Sequence, residues 1–133
     1  MPAEFLNPPS LPKTHGWTHV VVTRGGKMIH ISGQAALDAA GNLVGPGDLK
    51  RQTEQTFENL RLALAAAGAT WKDVIATRLY VVNLKPEHVP IIREVRARYV
   101  SAEHPPASTL VGVSALVGAD WLIEIEATAV VGD

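Results

Sequence analysis

The run from Val74 to Asn83 limits this chain more than any other segment. Read with the two-residue alternation of a strand, it sets Ile75, Leu79 and Val81 on one side and Val74, Ala76, Tyr80 and Val82 on the other. Neither face is made for water, so both need a covering layer. The chain offers two helical patterns. Asp48 is placed to cap a helix running to about Ala67 and closed by Gly68, with Thr53, Phe57, Leu60, Leu64 and Ala67 inward. A second helix starts near Pro86 and runs to about Val100, with Ile92, Val95 and Tyr99 inward and Arg93, Arg96 and Arg98 mostly outward.

The remaining β-prone runs are Val20 to Thr23 and Lys27 to Ser32, read as a hairpin across Arg24-Gly25-Gly26, and then Ser108 to Ser114 and Trp121 to Val130. The order β-β-α-β-α-β-β predicts an α+β fold with both helices on one face of a sheet. The other face would then carry apolar side chains into solvent, a larger patch than a monomer usually tolerates. Packing against copies of itself is the simplest remedy, and periodicity does not choose between two subunits and three.

With 133 residues the chain is expected to form one domain over 1–133. Twelve basic and thirteen acidic side chains leave no positive field to hold a phosphate backbone, so nucleic acid is disfavoured as a partner. There is no cysteine, which excludes disulfides and thiolate chemistry. The first fourteen residues hold four prolines and lack the basic start and apolar core of an export signal, and no run is long enough to span a bilayer. The expectation is a soluble, cytoplasmic protein with no membrane partner.

Gly41, Gly45 and Gly47 precede Asp48 where a phosphate loop would need Gly-Lys-Ser/Thr, so they read as a plain connection. The five histidines lack metal-ligand spacing, no metal is expected, and no G-x-S-x-G elbow surrounds Ser32 or Ser114. Glu124 and Glu126 are more informative. Alternation with Ile123 and Ile125 puts both carboxylates on the face opposite the core, where burial by oligomerisation would demand a partner or acid–base work. Gly33, between Ser32 and Gln34, lets a ligand or another backbone approach the end of its strand.

In order and spacing, Asn7-Pro8, Ser32-Gly33-Gln34, Gln52 to Asn59 with Leu60, Ala66-Ala67-Gly68-Ala69, Pro106-Ala107 and Ile123-Glu124-Ile125-Glu126-Ala127 resemble the reactive intermediate deaminase (Rid, YjgF-type) family over nearly the whole chain. The resemblance implies a fold like that of trimeric chorismate mutase and a homotrimer with three clefts between subunits. It further implies hydrolysis of reactive imines, enamines or amino-dienoates, releasing ammonia without a cofactor. A non-catalytic trimer that binds a small ligand is the alternative, and a ribonuclease ranks third, because charge balance and few aromatics give RNA little to hold.

Residue by residue, the resemblance puts Trp17 at a cleft tyrosine, Ser32 at the strand serine, Ile92 at an asparagine and Glu124 at the glutamate that orients water. The deaminase branch carries Pro-Ala-Arg-Ser, whose arginine clamps a substrate carboxylate through a two-pronged hydrogen bond. Here the segment is Pro106-Ala107-Ser108-Thr109, with Ser108 in the arginine's place. A buried carboxylate would thereby lose a partner worth on the order of 3–5 kcal/mol. Ser108 and Thr109, with nearby backbone N–H groups, are expected to hold the substrate, and Arg78 on the central strand is the candidate replacement charge.

Overall fold

A computed structural model describes residues 3–132. The doubly apolar run becomes a central strand, β4 (Val74–Val82), of a four-stranded sheet. The elements in chain order are β1 (Ala3–Leu6), β2 (Val20–Thr23), β3 (Lys27–Gln34), α1 (Leu49–Ala66), β4, α2 (His88–Arg96), β5 (Ala107–Val113) and β6 (Ile123–Val131). The sheet order is β3-β6-β4-β5, antiparallel except for β4 and β5, which run parallel and are joined through α2. A parallel pair needs such a crossover, because a tight turn can only reverse the chain.

Both helices lie on one side, as the α+β pattern predicts. Leu79 and Val81 of β4 and Ile123 and Ile125 of β6 meet Phe57, Leu60 and Leu64 of α1 and Ile92 and Val95 of α2 in one buried cluster. Phe57, Trp71 and Tyr99 form a three-ring cluster, with the Phe57 centroid 5.2 and 5.3 Å from the other two and those two 6.0 Å apart. The caps of α1 follow the sequence. The Asp48 side chain accepts from the Arg51 N–H at 3.0 Å, and Gly68 sits at φ 75° just past the last turn.

Two amide side chains on α1 bind loops. Gln52 is fully buried and makes three bonds, donating to the carbonyls of Gly45 and Asp120 and accepting from the Leu122 N–H. Asn59 donates to the carbonyls of Ala35 and Leu37. The two amides thus tie the connections at the ends of β3 and β6 to one rigid helix.

The structure departs from the sequence expectations in several places. β2 and β3 do not pair as a hairpin. β2 joins the N-terminal strand β1 in a separate antiparallel pair, and β3 joins β6. Lys27 at the start of β3 pairs with Val131 at the end of β6, which brings Gly26 so close to the Val131 carbonyl oxygen that a Cβ there would collide with it. The helix expected to reach Val100 ends at Arg96, and Ala67 is exposed as the C-cap of α1. A register irregularity between Val74 and Ala76 rotates Val74 into the core. The uncovered sheet face therefore presents Ala76, Arg78, Tyr80 and Val82 from β4, and is less apolar than the alternation predicts. No helix is long and apolar enough to cross a membrane among the described residues.

Candidate functional site

Strand alternation divides the expected site residues between the two sides of the sheet. On the uncovered side, Glu124 and Glu126 of β6 face Tyr80 and Arg78 of β4 across an antiparallel ladder. The Tyr80 hydroxyl donates to Glu126 Oε1 at 2.8 Å, and Arg78 Nε approaches the same oxygen at 3.9 Å. The hydrogen bond to Glu126, with lesser help from desolvation and the Glu126 charge, raises the Tyr80 pKa above the usual tyrosine value. Ser32, His30 and Thr128 complete a shallow hollow of about 270 Å³ around Arg78 and Glu126. Parallel register places Thr109 beside Arg78 on this face.

Glu124 sits at the edge of that group. Its carboxylate lies against Gly33, where any Cβ would overlap it. The glycine flagged between Ser32 and Gln34 thus accommodates a carboxylate from the neighbouring strand.

On the helix side, a groove of about 250 Å³ gathers Trp17, Ile92 and Ser108 with Val89, Leu110, Arg93 and Arg96. Trp17 is brought there by its neighbour Thr18, whose N–H donates to the Pro106 carbonyl at 3.1 Å and whose hydroxyl donates to that of Pro105. These bonds fasten the loop before β2 to the entry of β5. The Trp17 indole meets the His19 ring edge-on, with centroids 4.7 Å apart. The His19 N–H is itself held by Asn7 Oδ1 at 2.8 Å, which gives Asn7 a structural task. Ser108 Oγ accepts from Thr77 Oγ1 at 3.0 Å, across the parallel pair.

The structure thus brings Trp17, Ile92 and Ser108 together and, on the opposite face, Ser32 and Arg78, with Thr109 and Glu124 nearby. It does not bring the two sets together within one chain. Ser108 and Thr109, consecutive on a strand, point to opposite sides, so their side chains serve different surfaces. Among the described residues no cluster of three His, Asp or Glu side chains is arranged to hold a metal.

Arg93 and Arg96 are the groove residues that sequence reasoning missed, having been assigned to the outer side of α2. A signal was present. Arg98 has Glu94 four residues earlier, the spacing of a helical ion pair, whereas neither Arg93 nor Arg96 has an acid three or four residues away.

A family model described as "Endoribonuclease L-PSP" matches residues 9–131. The chain is 34% identical to Protein DfrA of Myxococcus xanthus over 98% of its own length and 97% of that protein's. It is 32% identical to the 3-aminoacrylate deaminase RutC of Acinetobacter baylyi, with coverage of 97% and 98%. A crystal structure of YyfB, a Rid family protein of unknown function from Yersinia pestis, superposes with a TM-score of 0.92 at 40% identity, covering 98% of this chain and all of that one.

Proposed function

The chain belongs to the Rid family, and from that membership we propose that it is a cofactor-independent hydrolytic deaminase of reactive imines, enamines or amino-dienoates, working in a cleft between subunits of a homotrimer. The reading rests on one relationship: the Glu124 carboxylate is placed over Gly33 on the uncovered sheet face, while the Trp17, Ile92 and Ser108 groove opens on the other side. A single chain holds two half-sites. A closed ring of subunits sets the face of one copy against the edge of the next, and that is how the halves would meet. The same contact would cover Met28 and Val111, both large and exposed on that face.

The chemistry asks little of the protein. Water adds to the electrophilic carbon of C=N as Glu124 takes one of its protons. That proton is returned to the nitrogen to give a neutral carbinolamine, whose hydroxyl proton then passes to the nitrogen as the C–N bond breaks and C=O forms, so that imine plus water gives carbonyl plus ammonia. An enamine first takes a proton on carbon. Trp17, Val89, Ile92 and Leu110 supply an apolar wall that keeps bulk water away, and Ser32, Thr109 and Arg78 supply polar contacts from the facing subunit. Relatives named as 3-aminoacrylate deaminase and 2-iminobutanoate/2-iminopropanoate deaminase support the reaction class.

A ligand-binding trimer without turnover is the second reading. It is favoured by Ser108, which stands in place of the family's arginine with its Oγ already engaged by Thr77. Ammonia release from enzymatically generated imines and enamines, with and without a carboxylate, separates the two. Release above the spontaneous rate that disappears in Glu124→Gln, with the oligomer intact, supports the deaminase. Release unchanged by that substitution removes Glu124 from the mechanism, and no release from any substrate favours the binding trimer.

A further inference from the structure

The cation that Ser108 does not supply has a counterpart on α2. Among the described residues neither Arg93 nor Arg96 has an acidic partner, whereas Arg98 on the same helix holds Glu54 at 2.7 Å and Glu94 at 3.4 Å. Arg93 and Arg96 line the groove beside Trp17, Ile92 and Ser108, and both also line a second hollow of about 380 Å³ formed with His15, Gly16 and Val100. Two guanidiniums one helical turn apart thus form a shared charged wall between two depressions. Arg96 is half buried, its Nη2 3.4 Å from the His15 carbonyl and packed over Gly16, where a Cβ would stand 2.7 Å from it. Burial, and then the neighbouring Arg93 charge, push the Arg96 pKa below the usual arginine value. Arginine stays protonated even so. Its charge is held at a cost the described residues do not offset with an acid.

We infer that Arg93 and Arg96 together bind the anionic part of the ligand in this groove, and that this ligand is a short unsaturated dicarboxylate carrying the imine or enamine nitrogen. The assignment rests on the deaminase cleft proposed above and moves its charge from β5 to α2. A monoanion leaves one guanidinium uncompensated, whereas a dianion balances both. Val89, Ile92 and Leu110 provide an apolar surface for the carbon chain between the charges. Each guanidinium can meet a carboxylate with a fork of N–H donors, which lysine cannot copy.

Calorimetric titration with fumarate, crotonate and fumaramide tests this on the intact oligomer. The three share one planar double bond and differ in carrying two, one or no carboxylates. The expected result is one fumarate per chain, bound more tightly than crotonate, with no binding of fumaramide. Arg93→Gln and Arg96→Gln should each weaken fumarate about tenfold or more, while Arg98→Gln, whose partners are Glu54 and Glu94, leaves it unchanged. Arg93 is exposed, so its variant remains informative even if Arg96→Gln misfolds. Fumarate binding that is absent, equal to that of fumaramide, or unaltered in Arg93→Gln overturns the inference. The readout does not depend on turnover. Arginine-dependent fumarate binding without ammonia release from any imine would keep the dicarboxylate site on α2 and favour the binding trimer; release that survives both arginine substitutions would keep the enzyme and overturn the site.

Discussion

The carboxylate of Glu124 occupies the space that a Cβ at position 33 would take. Gly33 has no left-handed backbone conformation to protect, so alanine is acceptable to the strand itself and conflicts only with the glutamate. Gly33→Ala should therefore keep stability within about 1 kcal/mol of the wild type, since it also restricts the unfolded chain. Its ammonia release should fall about a hundredfold, the scale of a one-ångström displacement of a reacting group. Thermal unfolding and a turnover assay on the same sample check both halves, and a variant with full activity would show that the position of Glu124 does not matter.

Gln52 carries a structural load that its amide chemistry makes measurable. Gln52→Leu keeps the approximate shape but orphans the carbonyls of Gly45 and Asp120 and the N–H of Leu122. The loss should be about 3 kcal/mol, from several buried groups left without partners. A denaturant titration should show the midpoint fall with an unchanged slope. The bonds reach the turn that leads into β6, so the same variant should also disturb the Glu124 strand.

Much of this arrangement was legible in the sequence, for identifiable reasons. The cap at Asp48, the stop at Gly68 and the alternation that sets Glu124 and Glu126 against Ile123 and Ile125 depend on neighbours in the chain, and they emerged as read. The pairing of β2 with β1 and of β3 with β6 did not, because local sequence does not name a strand's partner, and Lys27 pairs with Val131, more than a hundred residues away. Arg93 and Arg96 escaped for a related reason. Helical periodicity sorts core from surface but does not show that the loop at Trp17, fastened to Pro106, turns that surface into a groove. Gln52 and Asn59 stood out as family features, and only the structure shows which carbonyls they hold.

The Tyr80–Glu126 hydrogen bond should be visible as an alkaline stability effect. Because the folded state raises the Tyr80 pKa, it holds the phenol proton more tightly than the unfolded chain does. This contribution is fully present below the ordinary tyrosine value of about 10. It is lost as the pH rises through the folded value. Tyr80→Phe should abolish that pH-dependent part, so the stability difference between wild type and variant narrows over the alkaline window. Tyr99 is the other tyrosine, and it titrates in both proteins, so it cancels in the comparison. A difference that stays constant through the alkaline range would mean that the bond does not form in solution.

Glu124 and Trp17 belong to opposite sides of one chain, and a shared cleft predicts that subunits can repair one another. Glu124→Gln and Trp17→Ala homo-oligomers should each be inactive or nearly so. Refolded together in equal amounts, they form mixed rings in which some clefts combine an intact Glu124 face from one variant with an intact Trp17 groove from the other. Random assembly gives each cleft about one chance in four of that combination, so activity should return to roughly a quarter of the wild-type value. The recovery should vanish if the two proteins are merely mixed without unfolding and subunit exchange is slow. If both residues instead served a site within one chain, every subunit in the mixture would carry a defect, and no refolding would restore turnover.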